Sequence, residues 1–262
     1  MKKLTISYVH GKNPALFDVS KQPLISYDVF TAKSEIMKAI ISLFFFFTSI
    51  GLLLAQESET RVIDSFRGVK SSQAIDVYLK KGSKESVKVE VSGTSLRNVI
   101  TEISGTYLKI QMREGNYKNN NVKVYVTYVA LEKISASSSS SVYSEGSIKA
   151  STFKIDISSA ASVEVNLDVD DLAVDASSAG DAVLEGKTKS LSIEANSAGD
   201  VDAYGLESGK VHASANSGGS VKVNVIRELD AHANSGGSVR YRGNPTKTNT
   251  RANSGGSVKK SN

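Results

Sequence analysis

The chain has 262 residues, 40% of them hydrophobic, with three prolines and neither Cys nor Trp. The lack of Cys removes disulfides, thiolate metal sites and Cys nucleophiles together. The formal charge of +5 overstates basicity: residues 1–55 hold six Lys/Arg and three Asp/Glu, leaving 26 basic and 24 acidic residues, too balanced a surface for nucleic-acid recognition.

The first 36 residues show weak periodicity and no capping pattern. Met37–Gln56 then reads as a basic n-region (Lys38), an apolar stretch and a small residue at Ala55, the pattern of a secretory signal peptide cleaved after Ala55. The apolar run Ala39–Ala55 is 17 residues, at the short limit for a bilayer span, so a transmembrane anchor is the alternative reading; with cleavage, no stable transmembrane span is expected. No Cys follows it, which excludes a lipoprotein anchor. Signal peptides begin at the initiator, so Met37 is the expected start, 37–55 the signal, and 1–36 a non-native upstream extension. The expected location is exported: periplasm, outer surface or extracellular.

Residues 60–130 read as short strands over Arg61–Phe66, Ala74–Lys80, Ser86–Ser92, Val99–Ile103, Tyr107–Met112 and Val122–Tyr128. The breaks, at Lys81-Gly82-Ser83, Ser92-Gly93-Thr94, Ser104-Gly105-Thr106 and Glu114–Asn121, suggest antiparallel hairpins. A solenoid needs a cover over its first coil, and this segment is expected to be that cap, merging into the first coil near Leu131.

From Ser137 to Val258 one motif recurs seven times. It runs Ser137-Ser-Ser-Ser-Ser-Val142, Ser158-Ser-Ala-Ala-Ser-Val163, Ser177-Ser-Ala-Gly-Asp-Ala182 and Asn196-Ser-Ala-Gly-Asp-Val201, followed by three Asn-Ser-Gly-Gly-Ser-Val copies from Asn216, Asn234 and Asn253. The second-position serines are spaced 21, 19, 19, 20, 18 and 19 residues apart. Period-2 apolar alternation flanks each motif, as in Leu191-x-Ile193-x-Ala195 and Val221-x-Val223-x-Val225. Each unit is therefore strand, tight turn, strand, second turn. Such a unit is too short for a βαβ crossover or a propeller blade. The expected fold class is all-β: a right-handed parallel β-helix over 131–262 with coils of about 19 residues, continuous with the cap as one domain over 60–262. The turns are assigned to Asn196, Gly199, Asn216, Gly218, Gly219, Asn234, Gly236, Gly237, Asn253, Gly255 and Gly256. Gly supplies positive φ there, Asn tolerates it, and the stacked Asn side chains are positioned for an amide ladder.

The sequence resembles the putative auto-transporter adhesin, head GIN domain family, common in Bacteroidetes. The resemblance spans about Phe66–Lys259. It is carried by Phe66-Arg-Gly-Val69, Ile75-Asp-Val-Tyr-Leu79, Val87-Lys-Val-Glu-Val91, Gly105-Thr-Tyr-Leu-Lys-Ile110, Val122-Lys-Val-Tyr-Val126, Leu131-Glu-Lys-Ile134 and Val239-Arg-Tyr-Arg-Gly-Asn-Pro245. Where the family has Ser-Gly-Ser-Gly turns, this chain has Asn-Ser-Gly-Gly-Ser or Ser-Ser-Ala-Gly-Asp, which keeps the small turn-forming chemistry. The resemblance implies a β-helical shape and an adhesive role, with no ligand or catalytic residue to carry over.

Few residues suggest chemistry. A β-helix invites comparison with polysaccharide lyases and hydrolases, which need clustered carboxylates. Asp181 and Asp200 take the same turn position in consecutive coils, about 4.8 Å apart, and are the candidates for a weak cation site or a shared proton. Later coils hold Ser220, Ser238 and Ser257 there, so repeat drift also explains them. His212 and His232 fall in columns two residues apart and His10 lies upstream of the cleavage site, which disfavours a metal pair. No Ser/His/Asp set recurs. The outward column Asp175, Glu194, Ser214, His232, Arg251 reads as a solvated face. The expectation is a non-enzymatic envelope or surface protein with no cofactor, binding glycan or a surface protein. A structural scaffold and a polysaccharide-active enzyme are the alternatives, and a homodimer is a further option.

Overall fold

The computed structural model describes Met37 and residues 57–261. Contacts divide the chain into two units, Met1–Leu53 and Leu54–Asn262. The expected extension at 1–36 and signal peptide at 37–55 lie outside the described residues, Met37 excepted. Among the described residues no helix is long and apolar enough to cross a membrane.

The repeat region is a stack of parallel coils. Strands β9 (Ser141–Ile157), β10 (Ser162–Ala176), β11 (Asp181–Ala195), β12 (Asp200–Ala215) and β13 (Ser220–Ala233) each run through one coil. Each pairs in parallel with the next, with Ser162↔Asp181, Asp181↔Asp200 and Asp200↔Ser220 in register. The last coil splits into β14 (Ser238–Arg242) and β15 (Lys247–Ala252), both on β13, and β16 (Ser257–Lys260) closes on β14. Coils of unequal length keep register by bulging on the far side of the turn, between Glu164 and Asn166, between Val183 and Glu185, and between Ala203 and Glu207.

Alternation sets the core. Val163, Val165 and Leu167, then Leu172, Val174 and Ala176, point inward and are buried. The break falls at Asp170-Asp171, two successive outward residues where the chain turns a corner. Beside each turn the inward column reads Ala136, Ile157, Ala176, Ala195, Ala215, Ala233. Alanine at five of these six positions lets the two strands of a coil converge.

The turn itself has one geometry. In Asn216–Gly219, Gly219 N–H donates to Asn216 C=O at 2.9 Å, and φ is 51° at Ser217 and 76° at Gly218. Positive φ at both central residues makes it a type I′ turn. The left-handed residues are thus the serine and its successor, not the Asn expected to tolerate that region. Nor do the asparagines form an amide ladder among the described residues: Asn216 Nδ2 donates instead to Ser214 Oγ at 3.0 Å. The inter-coil ladder is made by backbone. Asn216 N–H reaches Ala195 C=O at 2.9 Å, and Gly218 N–H reaches Ser235 C=O at 3.1 Å.

The N-terminal region is threaded differently from a row of hairpins. It contains β1 (Glu57–Arg61), β2 (Gly68–Ser71), β3 (Asp76–Lys81), β4 (Ser86–Ser92), β5 (Val99–Ser104), β6 (Tyr107–Met112), β7 (Asn121–Tyr128) and β8 (Lys133–Ala136). Three pairs are antiparallel, β1–β4, β4–β7 and β5–β6, and of these only β5–β6 is a hairpin. β2 and β3 instead form a coil like the others, parallel to β8 and β9 on one side and to β6 and β7 on the other. Its turn carries φ of 66° at Gln73 and 53° at Ala74, and Ala74 N–H bonds Ser138 C=O at 2.9 Å, as in the repeat motifs. Parallel stacking therefore begins at Gly68 and passes through Leu131 without interruption. β4, β1 and β5 are the antiparallel strands that cover the first coil.

Among the described residues no antiparallel strand covers the opposite end. In β15 the inward column changes from Leu229 and Ala231 to Thr248 and Thr250, and the whole strand is exposed. On β16 Lys260 follows Tyr241 in an inward column, and its Nζ reaches Asn244 Oδ1 at 2.7 Å. Polar and charged residues at inward edge positions block a further strand from adding.

Candidate functional site

A concavity lies on the face formed by the strands that lead into the turns. Its volume is about 500 Å³, within the range that binds small molecules. Stacking explains the hollow. One outward column runs Tyr107, Gly68, Lys133, Lys154, Ala173, Ser192, His212 across seven coils. The column beside it reads Thr152, Asp171, Ser190, Lys210. Where both columns turn small, at Ala173, Ser190 and Ser192, the surface dips, with the buried rings and branches of Phe153 and Leu172 beneath.

Two cations at the rim are tied to carboxylates. Lys154 Nζ sits 2.8 Å from Asp156 Oδ1 and 2.9 Å from Asp175 Oδ2, and these two hydrogen bonds raise its pKa far above the ordinary lysine value. Arg67 meets Glu132 at 3.4 Å. Lys133 Nζ lies 5.4 Å from the centroid of the Tyr107 ring. With Lys154 and Arg67 paired, the hollow offers the hydroxyls of Thr152, Ser190 and Ser192, the carboxylate of Asp171, the ammonium of Lys133 over its tyrosine ring, and an apolar floor.

The carboxylates singled out from the sequence lie elsewhere. Asp181 and Asp200 are register partners on adjacent coils, just after the turn. Burial and then the charge of Asp200 push the Asp181 pKa up. Asp200 Oδ1 is buried without a hydrogen-bond partner. Among the described residues no group of three or more His, Asp or Glu is arranged to hold a metal ion.

The turn glycines act in two ways. Gly218, Gly236 and Gly255 take positive φ in open space, whereas a Cβ on Gly199, Gly219, Gly237 or Gly256 would fall 2.1–2.5 Å from an alanine carbonyl oxygen of the preceding coil. Asn196, Asn216, Asn234 and Asn253 supply the carbonyl that closes each turn.

Two clusters escaped the sequence reading. His212 and His232 do occupy columns two residues apart, yet both imidazoles converge on Asp230, with Nδ1 of His212 and Nε2 of His232 each 3.1 Å from its carboxylate. Partial burial works to raise the Asp230 pKa, but hydrogen bonding from His212, the nearby His232 and Asn249 bring it below the usual carboxylate range. On the face after the turn, Tyr125, Tyr78 and Tyr143 stack with centroids 5.1 and 5.3 Å apart. The only sequence trace of that stack is a tyrosine at an outward position in each of three separate strands.

Comparison with known proteins bears on this architecture. A family model described as putative auto-transporter adhesin, head GIN domain, matches residues 65–245. Similar solved structures include a putative adhesin from Bacteroides fragilis (TM-score 0.73, 19% identity, covering 79% of this chain and 97% of the other). Another putative adhesin comes from Parabacteroides distasonis (TM-score 0.65, 19% identity, 79% and 97%). A third structure, a putative lipid binding protein from the same species, has TM-score 0.62 and 18% identity, with coverage of 79% and 97%. These likenesses show the fold. No curated protein matches the chain.

Proposed function

The chain belongs to the putative auto-transporter adhesin, head GIN domain family, and from that premise we propose that it is an exported, non-enzymatic binding protein whose groove takes a neutral glycan segment. The observation that carries this reading is the pairing of Arg67 and Lys154 around a hollow with hydroxyls and an apolar floor, which leaves one cation, Lys133, and one anion, Asp171, in near balance. A sugar presents a C–H face and a ring of hydroxyls, and it needs those two kinds of contact. Stacked coils hold the groups rigidly, which lowers the ordering cost of binding. Glu132, one of the two carboxylates lining the groove, is engaged by Arg67, so Asp171 has no free acidic partner for acid–base chemistry there.

A glycan array with wild type and with Ala173→Arg tests this. The substitution would lay a long side chain across the floor while keeping an outward position. The expected result is binding to a limited set of neutral glycans, reduced at least tenfold in the variant. Binding to none would discard the glycan reading and favour a scaffold role. Hydrolysis or cleavage of a polysaccharide by wild type but not by the Asp181→Ala/Asp200→Ala variant would overturn the non-enzymatic reading. Fractionation and protease shaving of intact cells test export to the surface.

A further inference from the structure

The face after the turns, opposite in its chemistry to the groove, carries an ordered charge pattern. Two outward columns run side by side along it. One reads Ser162, Asp181, Asp200, Ser220, Ser238, Ser257, and the other Glu164, Val183, Asp202, Lys222, Arg240, Lys259. The first three coils are acidic and the last three basic, and the two halves meet where Lys222 Nζ bonds Asp202 Oδ2 at 2.9 Å.

Like charges one coil apart are unfavourable, and both halves of this face contain them. Asp181 is stacked on Asp200, whose Oδ1 is buried and unpartnered. Arg240 lies between Lys222 and Lys259, and neither Arg240 nor Lys259 meets a carboxylate among the described residues. By contrast, the column Lys149–Asp168–Lys187 alternates sign between coils, and pairs form there at 3.5 and 3.6 Å. The column Asp156, Asp175, Glu194, Ser214, His232, Arg251 before the turns also passes from acidic to basic, but there Lys154 bonds both Asp156 and Asp175 and His232 meets Asp230. Val183 adds an exposed apolar side chain, 37% accessible, within the acidic half.

We propose that this face is an isologous interface between two copies of the chain packed antiparallel. A two-fold axis through the Asp202/Lys222 boundary sets Asp202 against the second copy's lysine at that boundary. It sets Asp181 and Val183 against the coil of Arg240, and Glu164 against the coil of Lys259, with every contact made twice. Self-complementarity of this kind is what a two-fold interface requires, and a neutral or single-sign partner would leave one half unanswered. Six coils about 4.8 Å apart and five residues at about 3.3 Å give roughly 500 Å² per copy. The resulting total of about 1,000 Å² is at the low end for specific association, so the pair is weak and governed by charge. Pairing through this face leaves both grooves outward, and two linked sites gain avidity on a repetitive ligand.

Sedimentation velocity of the purified protein across a concentration series tests the interface. The expected result is a monomer–dimer equilibrium in about 0.02 M salt whose dissociation constant rises at least tenfold by about 0.5 M, as screening shortens the reach of the charges. The Lys222→Glu/Arg240→Glu/Lys259→Glu variant and the Glu164→Lys/Asp181→Lys/Asp202→Lys variant are each expected to be monomeric, and an equimolar mixture of the two to dimerise. Circular dichroism checks their folding, and the single changes Arg240→Glu and Asp181→Lys, at exposed positions, serve if a triple variant does not fold. A wild type that stays monomeric at low salt would overturn the proposal, even if it binds a polyanion through the basic half. So would a charge-reversed variant that still dimerises, or folded variants that fail to pair when mixed.

Discussion

Gly218 and Gly219 are neighbours, and replacing each by Ala should have very different consequences. At Gly218 nothing lies within 4 Å of the position a Cβ would take, and φ is 76°. Equivalent positions in other coils already hold Ala179 at 60° and Ala198 at 63°. Gly218→Ala should cost about 1–2 kcal/mol, the left-handed penalty alone. At Gly219 a Cβ would stand 2.2 Å from Ala195 O and 2.7 Å from its carbonyl carbon. Those atoms belong to the backbone of the preceding coil and cannot swing aside. Relief requires the coils to part locally, which strains the bonds Asn216 N–H to Ala195 C=O and Ser220 N–H to Gly199 C=O, both 2.9 Å. Leaving one or two buried backbone groups unmatched at about 1–3 kcal/mol each puts the cost of Gly219→Ala at roughly 3–5 kcal/mol. Urea unfolding followed by circular dichroism measures both. Equal losses, or a greater loss at Gly218, would refute the division of the two glycines into conformational and close-contact roles.

Three further outcomes follow from other parts of the molecule. Tyr78→Ala removes the central ring of the tyrosine stack and two ring contacts, and should destabilise by about 1–3 kcal/mol. Tyr78→Phe should be nearly neutral, as denaturant midpoints will show. The raised pKa of Asp181 means the folded state disfavours its charged form, so its contribution falls as pH climbs above the ordinary carboxylate value. Asp181→Ser should therefore gain under about 1 kcal/mol near pH 7 and nothing near pH 3, read from thermal midpoints at concentrations that keep the protein monomeric. The depressed pKa of Asp230 has the opposite sign. Its contribution is present above the unfolded value and is lost as pH falls through the folded one, so Asp230→Asn should flatten the acid limb of the stability profile.

The repeats were legible because stacking requires the same chemistry in every coil. A seven-fold motif at 18–21 residues can only be answered by a fold in which equivalent residues meet. The register read from it, including the column Asp175, Glu194, Ser214, His232, Arg251, is the register of the strands. The coil formed by β2 and β3 was harder to read. Its Ser72-Gln73-Ala74-Ile75 turn has the same pair of positive φ angles as the repeats but lacks glycine and has Gln73 where every repeat has serine. The turn type constrains φ, and several residue types satisfy φ when neighbouring strands hold them. The Gly105 turn between β5 and β6 gave a true hairpin, yet similar breaks at Gly82 and Gly93 did not, because local turn chemistry does not determine which distant strand completes the pairing.

The periodic part of the fold is encoded locally: coil length, inward and outward faces, and the small residues at each turn. These follow from local φ preference and a two-residue alternation, both of which repeat along the chain. Contacts that join residues from different periods or different columns arise only in the folded chain. Folding brought His212 and His232 onto one carboxylate, sank a groove where Ala173, Ser190 and Ser192 align, and placed β2–β3 between strands that come later in the chain. Such features depend on side-chain reach and on the order in which coils stack, and neither quantity is periodic in the sequence.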